Sequence, residues 1–160
     1  MLMASLPIAV VMQRRALNHR WASEAWSAIG VVADGGLPPY RLISRDASQE
    51  TYLVAGLSLE LYPDENDGYF ENCIAPESKV FIKWRMEDGR AVPVQASVSY
   101  ADGARMFDSG ESADGVPMPA DIHAWVTAYL HEHYTPSARR GKQYARSGKD
   151  ADRQQGDHAS

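Results

Sequence analysis

Between Leu6 and Tyr100 the apolar residues fall in short runs and in period-two alternation. Turn signals at Asp34-Gly35-Gly36, Asp67-Gly68 and Asp88-Gly89 break the pattern. This is the signature of a succession of half-buried strands. The clearest runs from Thr51 to Tyr62, where Leu53, Ala55, Leu57, Leu59 and Leu61 share one face and Ser58 and Glu60 the other. A second pair of runs carries Val80, Ile82, Trp84 and Met86 on one face of the first strand and Val92, Val94, Ala96 and Val98 on one face of the second. Paired strands must bring these sets to the same side. A two-residue Asp88-Gly89 turn would set Arg85 opposite Val92 and Lys83 opposite Val94. The alternation therefore predicts a three-residue loop, Glu87-Asp88-Gly89, with a bulge at Gly89, pairing Trp84 with Val92 and Ile82 with Val94.

After Tyr100 the period changes. Ser99-Tyr100-Ala101-Asp102 has the spacing of a capping box and predicts a short helix through Met106 and Phe107 that stops near Gly110. Ser112–Pro117 reads as a turn-rich connector. Pro119 suits the first position of a longer helix, with Asp121 in its first turn and Pro136 beyond its end. Ile122, Trp125, Val126, Tyr129 and Leu130 form one broad stripe that should lie on the sheet. The expected fold is α+β and mainly β: a bent antiparallel sheet or partial barrel of about seven strands, with a short helix and a C-terminal packing helix.

Composition fits one domain. The 160 residues are 44% apolar and 23% charged, enough for a real core, expected over residues 1–136 and followed by a disordered polar tail over 137–160. Six of the 16 Lys/Arg but only three of the 21 Asp/Glu lie from Ser137 onward, so the preceding body carries a net charge of −8. A nucleic-acid groove in that body is not expected. The tail's Arg139-Arg140-Gly141-Lys142 reads as a solubilising end. No uncharged apolar segment approaches the ~20 residues that cross a bilayer, and Arg14 and Arg15 follow the first apolar run where a signal peptide would have them precede it. A soluble, cytoplasmic protein is the expectation.

Candidate chemistry is sparse. His123 and His131 are separated by about 12 Å along the last helix, and His131 and His133 by roughly 200 degrees around it, so neither pair can share a tetrahedral ion. No metal and no cofactor is expected. Cys73, the single cysteine, stands beside Glu71 with no cation or Gly-rich turn to activate it and reads as a structural thiol. Asp64-Glu65-Asn66-Asp67-Gly68 lacks the distant bidentate glutamate of a calcium loop and reads as a solvated hairpin loop. No catalytic residue is assigned.

What stands out is Arg20-Trp21-Ala22-Ser23-Glu24-Ala25-Trp26, two of the four tryptophans five residues apart among charges. One reading places one tryptophan in the core and the other at the rim, with Arg20 and Glu24 as a surface pair. The other is a recognition surface, since Trp, Tyr and Arg dominate binding hot spots. The candidate binding residues are Arg20, Trp21, Glu24, Trp26 and Trp84.

The stretches Pro7–Arg15, Arg20–Trp26, Leu61–Phe70, Val80–Arg85, Val98–Met106 and Gly115–Pro119 resemble, in order and spacing, a family of uncharacterised proteobacterial proteins, a domain of unknown function. The resemblance covers Leu6 to Pro136. The genes of that family often lie beside those of formate dehydrogenase and its maturation factors. The resemblance thus implies a non-enzymatic accessory or binding protein, with a formate dehydrogenase subunit or maturation factor as its protein partner. The alternatives are a small-molecule-binding barrel, with or without hydrolytic or isomerase-type chemistry from carboxylates such as Glu24 or Glu71, and a structural module that self-associates as a homodimer.

Overall fold

The computed structural model describes residues 1–18, 23–34 and 36–135. Within them, seven strands form two antiparallel sheets. The first contains β1 (Ala4–Ala16), β2 (Glu24–Ala33), β3 (Tyr40–Arg45) and β4 (Gln49–Leu61) in the order β2-β1-β4-β3. The second contains β5 (Lys79–Glu87), β6 (Arg90–Ser97) and β7 (Ser112–Pro117) in the order β6-β5-β7. Helices α1 (Asn66–Cys73), α2 (Tyr100–Phe107) and α3 (Ala120–His133) complete the domain. The mainly β, α+β class is the expected one. Among the described residues no helix is long and apolar enough to cross a membrane. The expected tail from Ser137 lies outside the described residues.

The sheets curve towards each other without closing into a barrel. β2 lies beside β7 and β4 beside β6, yet no strand ladder crosses either seam. Side chains bridge the seams instead. At the first, Asp114 Oδ2 accepts the Ala28 main-chain N–H at 2.9 Å and the Trp84 indole N–H at 2.8 Å. Beside the second, the Tyr40 hydroxyl of β3 donates to the Ala91 carbonyl of β6 at 2.8 Å.

Inside, Ile8, Val10 and Met12 of β1 meet Leu59 and Leu61 of β4, Val80 and Ile82 of β5, and the α3 face. Each such side chain contributes about 1.5–3 kcal/mol by leaving water. Ile122, Val126, Tyr129 and Leu130 are buried as their spacing predicts, with Trp125 packed at the margin. Pro119 differs by one step: it is extended, with ψ 152°, and caps the helix from outside.

Four bulges set which residues face inward. Gly56, with φ 115°, is the extra residue in β4 between the Ile8–Leu57 and Ala9–Ala55 pairs. It shifts the parity. Tyr52 and Val54 face the core before it, and Leu57, Leu59 and Leu61 after it, so the expected placement of Leu53 and Ala55 on the Leu59 face is corrected. Ile29 and Ile43 are the extra residues in β2 and β3.

The β5–β6 hairpin is corrected too. Asp88 (φ 52°) and Gly89 (φ 82°) form a two-residue turn with both central residues left-handed, and Glu87 pairs with Arg90, Arg85 with Val92 and Trp84 with Pro93. This is the geometry that Asp-Gly favours. This register keeps apolar residues inward because the inward set on β6 is Ala91 and Pro93, and a bulge at Val94 restores inward Ala96 opposite Ile82.

Two further segments depart from expectation. The acidic stretch is helical: a 3-10 turn, Pro63–Glu65, leads into α1 where a hairpin loop was expected. Gly68 sits inside this helix because a Cβ there would lie 2.3 Å from Ser99 Oγ. Ser112–Pro117, expected as a connector, is β7, paired with β5.

The capping box of α2 forms as expected. Ser99 Oγ accepts the Asp102 N–H at 3.3 Å, while the return arm runs through Ser97, whose hydroxyl donates to Asp102 and accepts the Ser99 N–H. Gly103 lets α2 lie on β5, since a Cβ would fall 2.7 Å from the Phe81 ring. At the junction of α1 with the sheet, fully buried Asn72 donates to the carbonyls of Lys79 and Val98 and accepts the Lys79 N–H, all within 2.9 Å.

Candidate functional site

At the end of β1 away from the helices, the inward parity that carries Ile8, Val10 and Met12 delivers Arg14, paired with Trp26 on β2 and with Glu50 on β4. A charge on the core face needs partners. Arg14 Nε donates to Glu50 Oε1 at 2.9 Å and Nη1 to Glu24 Oε1 at 3.1 Å. The second oxygen of Glu24 accepts the Trp26 indole N–H at 2.7 Å. Glu50 also accepts the Tyr52 hydroxyl at 2.6 Å and Arg45 Nε at 3.0 Å. One carboxylate thus gathers groups from β1, β3 and β4.

An aromatic ledge lies on this network. Trp26 stacks on Tyr52 with centroids 5.7 Å apart, Tyr52 meets Tyr40 at 5.2 Å, and the Arg90 guanidinium stands 3.9 Å above the Tyr40 ring. The run passes from β2 over β4 and β3 to β6, ending where Tyr40 bridges the seam. Trp26, Tyr40 and Tyr52 are all half-buried.

The electrostatics hold Glu50, Tyr40 and Tyr52 each in one protonation state. Hydrogen bonds from Arg14, then Tyr52, bring the Glu50 carboxyl down to about 2 against its burial. Burial pushes the Tyr40 hydroxyl up to about 12, and burial followed by the Glu50 hydrogen bond raises Tyr52. General acid–base catalysis works best with a pKa near the operating pH. These three groups are moved away from it, so the ledge is suited to presenting a fixed surface.

The expected binding residues are placed unevenly. Glu24 and Trp26 are at the centre of the ledge, and Glu24 is engaged by Arg14 and Trp26. Arg20 and Trp21, with the expected Arg20–Glu24 pair, lie outside the described residues. Trp84 is not on the ledge. It is 9% exposed, points into the core and is held by Asp114, a structural role at the first seam. Glu71 is on α1, away from the rim.

Sequence reading missed Arg14, Tyr40, Glu50, Tyr52 and Arg90. Arg14 had a signal, a charge on the parity of Ile8, Val10 and Met12. Glu50 and Tyr52 share the parity of Val54, but the bulge at Gly56 hid that this is the core face.

Elsewhere, Cys73 is pushed up to about 11 by burial, and His123 Nε2 lies 3.1 Å from its carbonyl oxygen. Among the described residues no group of three or more His, Cys, Asp or Glu is placed to hold a metal ion.

Neither the curated proteins nor the solved structures give a match to this chain. A family model described as a protein of unknown function, DUF3305, matches residues 7–143. The match runs past Pro136, the expected end of the resemblance, and takes in Arg139, Arg140 and Lys142. With all of its β-rich domain from Pro7 onward and the whole Trp26 ledge inside that match, the chain belongs to the DUF3305 family.

Proposed function

We propose that this chain is a non-enzymatic binding or accessory protein that meets a protein partner through the Trp26–Tyr52–Tyr40 ledge. The observation that carries this reading is the fixed aromatic surface. Three half-buried rings are held by Glu24, Glu50 and the Ala91 carbonyl and flanked by Arg14, Arg45 and Arg90. Aromatic and arginine side chains anchor interfaces, and side chains already ordered before association lose less entropy on binding. The partner we propose is a formate dehydrogenase subunit or maturation factor, as the family resemblance implies.

Co-purification from native cells tests this. The tagged chain should recover such a partner and the Trp26→Ala variant, folded by circular dichroism, should not. Recovery of no dehydrogenase component would remove the named partner; equal recovery by both proteins would move the contact off the ledge. A small-molecule barrel is less favoured, because the side chains beneath α3 pack into the core cluster.

A further inference from the structure

We infer that the apolar cleft between α1 and α3 is the seat of the chain's own residues 136–140, with Pro136 and Ala138 on the apolar floor and Arg139 and Arg140 against the carboxylates at the Cys73 end of α1. This inference uses residues other than the ledge and stands apart from the reading above.

The two helices run antiparallel and already touch. Tyr129 donates to Asn66 Oδ1 at 2.8 Å near one end, and His123 Nε2 lies 3.1 Å from the Cys73 carbonyl oxygen at the other. Outside that contact they leave an open cleft of about 430 Å³, lined by Phe70, Cys73, Ile74, His123, Leu130 and Tyr134 among others. Ile74, at its lip, is 64% exposed. A segment laid along the cleft covers these side chains without parting the helices.

The described chain already leads into this cleft. Tyr134, the first residue beyond α3, is extended, with φ −135° and ψ 122°. Its ring meets Phe70 at a centroid distance of 5.4 Å and its hydroxyl donates to Asp67 at 2.8 Å, so the chain leaves α3 at the mouth of the cleft. Thr135 precedes a proline, which disfavours helix and favours extended backbone. Alternate residues of an extended chain share a face, so Pro136 and Ala138 follow the Tyr134 ring. The path fits as well. From Tyr134 to His123 is about 16 Å along α3, and the five residues from Tyr134 to Arg139 span about the same distance when extended.

Charge names the occupant. Residues 63–78 and 120–135, which carry both walls, hold seven Asp/Glu and no Lys or Arg. Residues 136–149 hold five Lys/Arg and no Asp or Glu. Such complementary runs fix the register in which two surfaces meet. Glu71, Glu77 and Asp121 stand towards the Cys73 end of the cleft, and α1 has no basic residue in its last turn to answer its dipole. The DUF3305 match continues to residue 143, ten positions beyond the end of α3, so the family's domain takes in both arginines.

The test uses Cys73, the single cysteine of the chain, as a probe already in the cleft. Ala138→Cys and Ser137→Cys variants of the full chain, folded by circular dichroism, are oxidised with diamide and followed to the disulfide with Cys73. Ala138→Cys should close about tenfold faster, because Ser137 faces away from the cleft and a disulfide needs converging Cβ vectors. Adding Arg139→Glu and Arg140→Glu to the Ala138→Cys chain should slow closure about tenfold, some 1.4 kcal/mol. In the parent chain the same two reversals should speed alkylation of Cys73 by iodoacetamide. Trp26→Ala should leave both rates unchanged, which separates this inference from the ledge reading. Equal closure by the two cysteines, rates unmoved by the charge reversals, or disulfides formed between chains instead of within one would overturn the seat.

Discussion

The two ends of β1 solve the same problem by different chemistry. At the helix-covered end, buried polar groups are neutral: Asn72 serves three main-chain groups, Tyr129 donates to Asn66, and Ser99 caps α2. At the rim, the polar groups are charged and partly wet, with the Arg14 and Glu50 side chains 30% and 14% exposed. Neutral groups out of water depend entirely on their protein partners, whereas a partly wet ion pair is screened and returns less net stability than its geometry suggests. The comparison assigns stability to the helix end and leaves the rim free to be shaped by recognition.

The sharpest way to break that contrast is Asn72→Ala. It strands two carbonyls and an N–H in the interior, and chemical denaturation should show a loss of about 3 kcal/mol or more. A variant within 1 kcal/mol of the parent, roughly the worth of a single net hydrogen bond, would remove the distinction between the ends. Gly103→Ala forces a methyl against the Phe81 ring and should cost about 1–3 kcal/mol, seen as a lower denaturation midpoint with α2 loosened in hydrogen exchange.

At the rim, Trp26→Ala should lower stability by only about 1–2 kcal/mol, for a half-buried ring, while abolishing partner recovery. The smallest effect belongs to Glu50→Gln. Because the carboxyl is depressed in the folded state, its contribution is present above the ordinary value of 4.5 and disappears as pH falls towards about 2. The acid limb of the stability profile should therefore flatten in the glutamine variant and in high salt, the variant falling below the parent at neutral pH by a small margin that closes as pH falls towards about 2. An unchanged acid limb would show that the rim network is not coupled to folding.

Much of the helix end was legible in the sequence. The α3 stripe, the Ser99 cap and the β4 and β5 runs are periodic signals whose cause is local. The rest was hidden by tertiary demands on single residues. Gly68 looks like a turn residue, yet it is there to make room for Ser99 within a helix. β7 shows no alternation because Val116 is its only buried residue, and Asp114 is spent on the seam. The bulges at Gly56 and Val94 each switch parity inside a strand, so faces extrapolated from one half fail in the other. The same switch concealed Glu50 and Tyr52, and with them most of the ledge.

Asp114 also bears on how the chain reaches this fold. Its bond to Ala28 joins residues 86 positions apart, so β2 waits for almost the whole domain before its neighbour arrives. During synthesis the first four strands emerge with the β2 edge uncovered, and Ile29 and Val32 on that strand are still 42% and 39% exposed in the finished protein. Contacts this distant in sequence slow folding, and an uncovered edge is where nascent chains stick to each other. A shortened chain ending before Ser112 would keep β2 in that condition permanently, which makes the late strand a guard against aggregation.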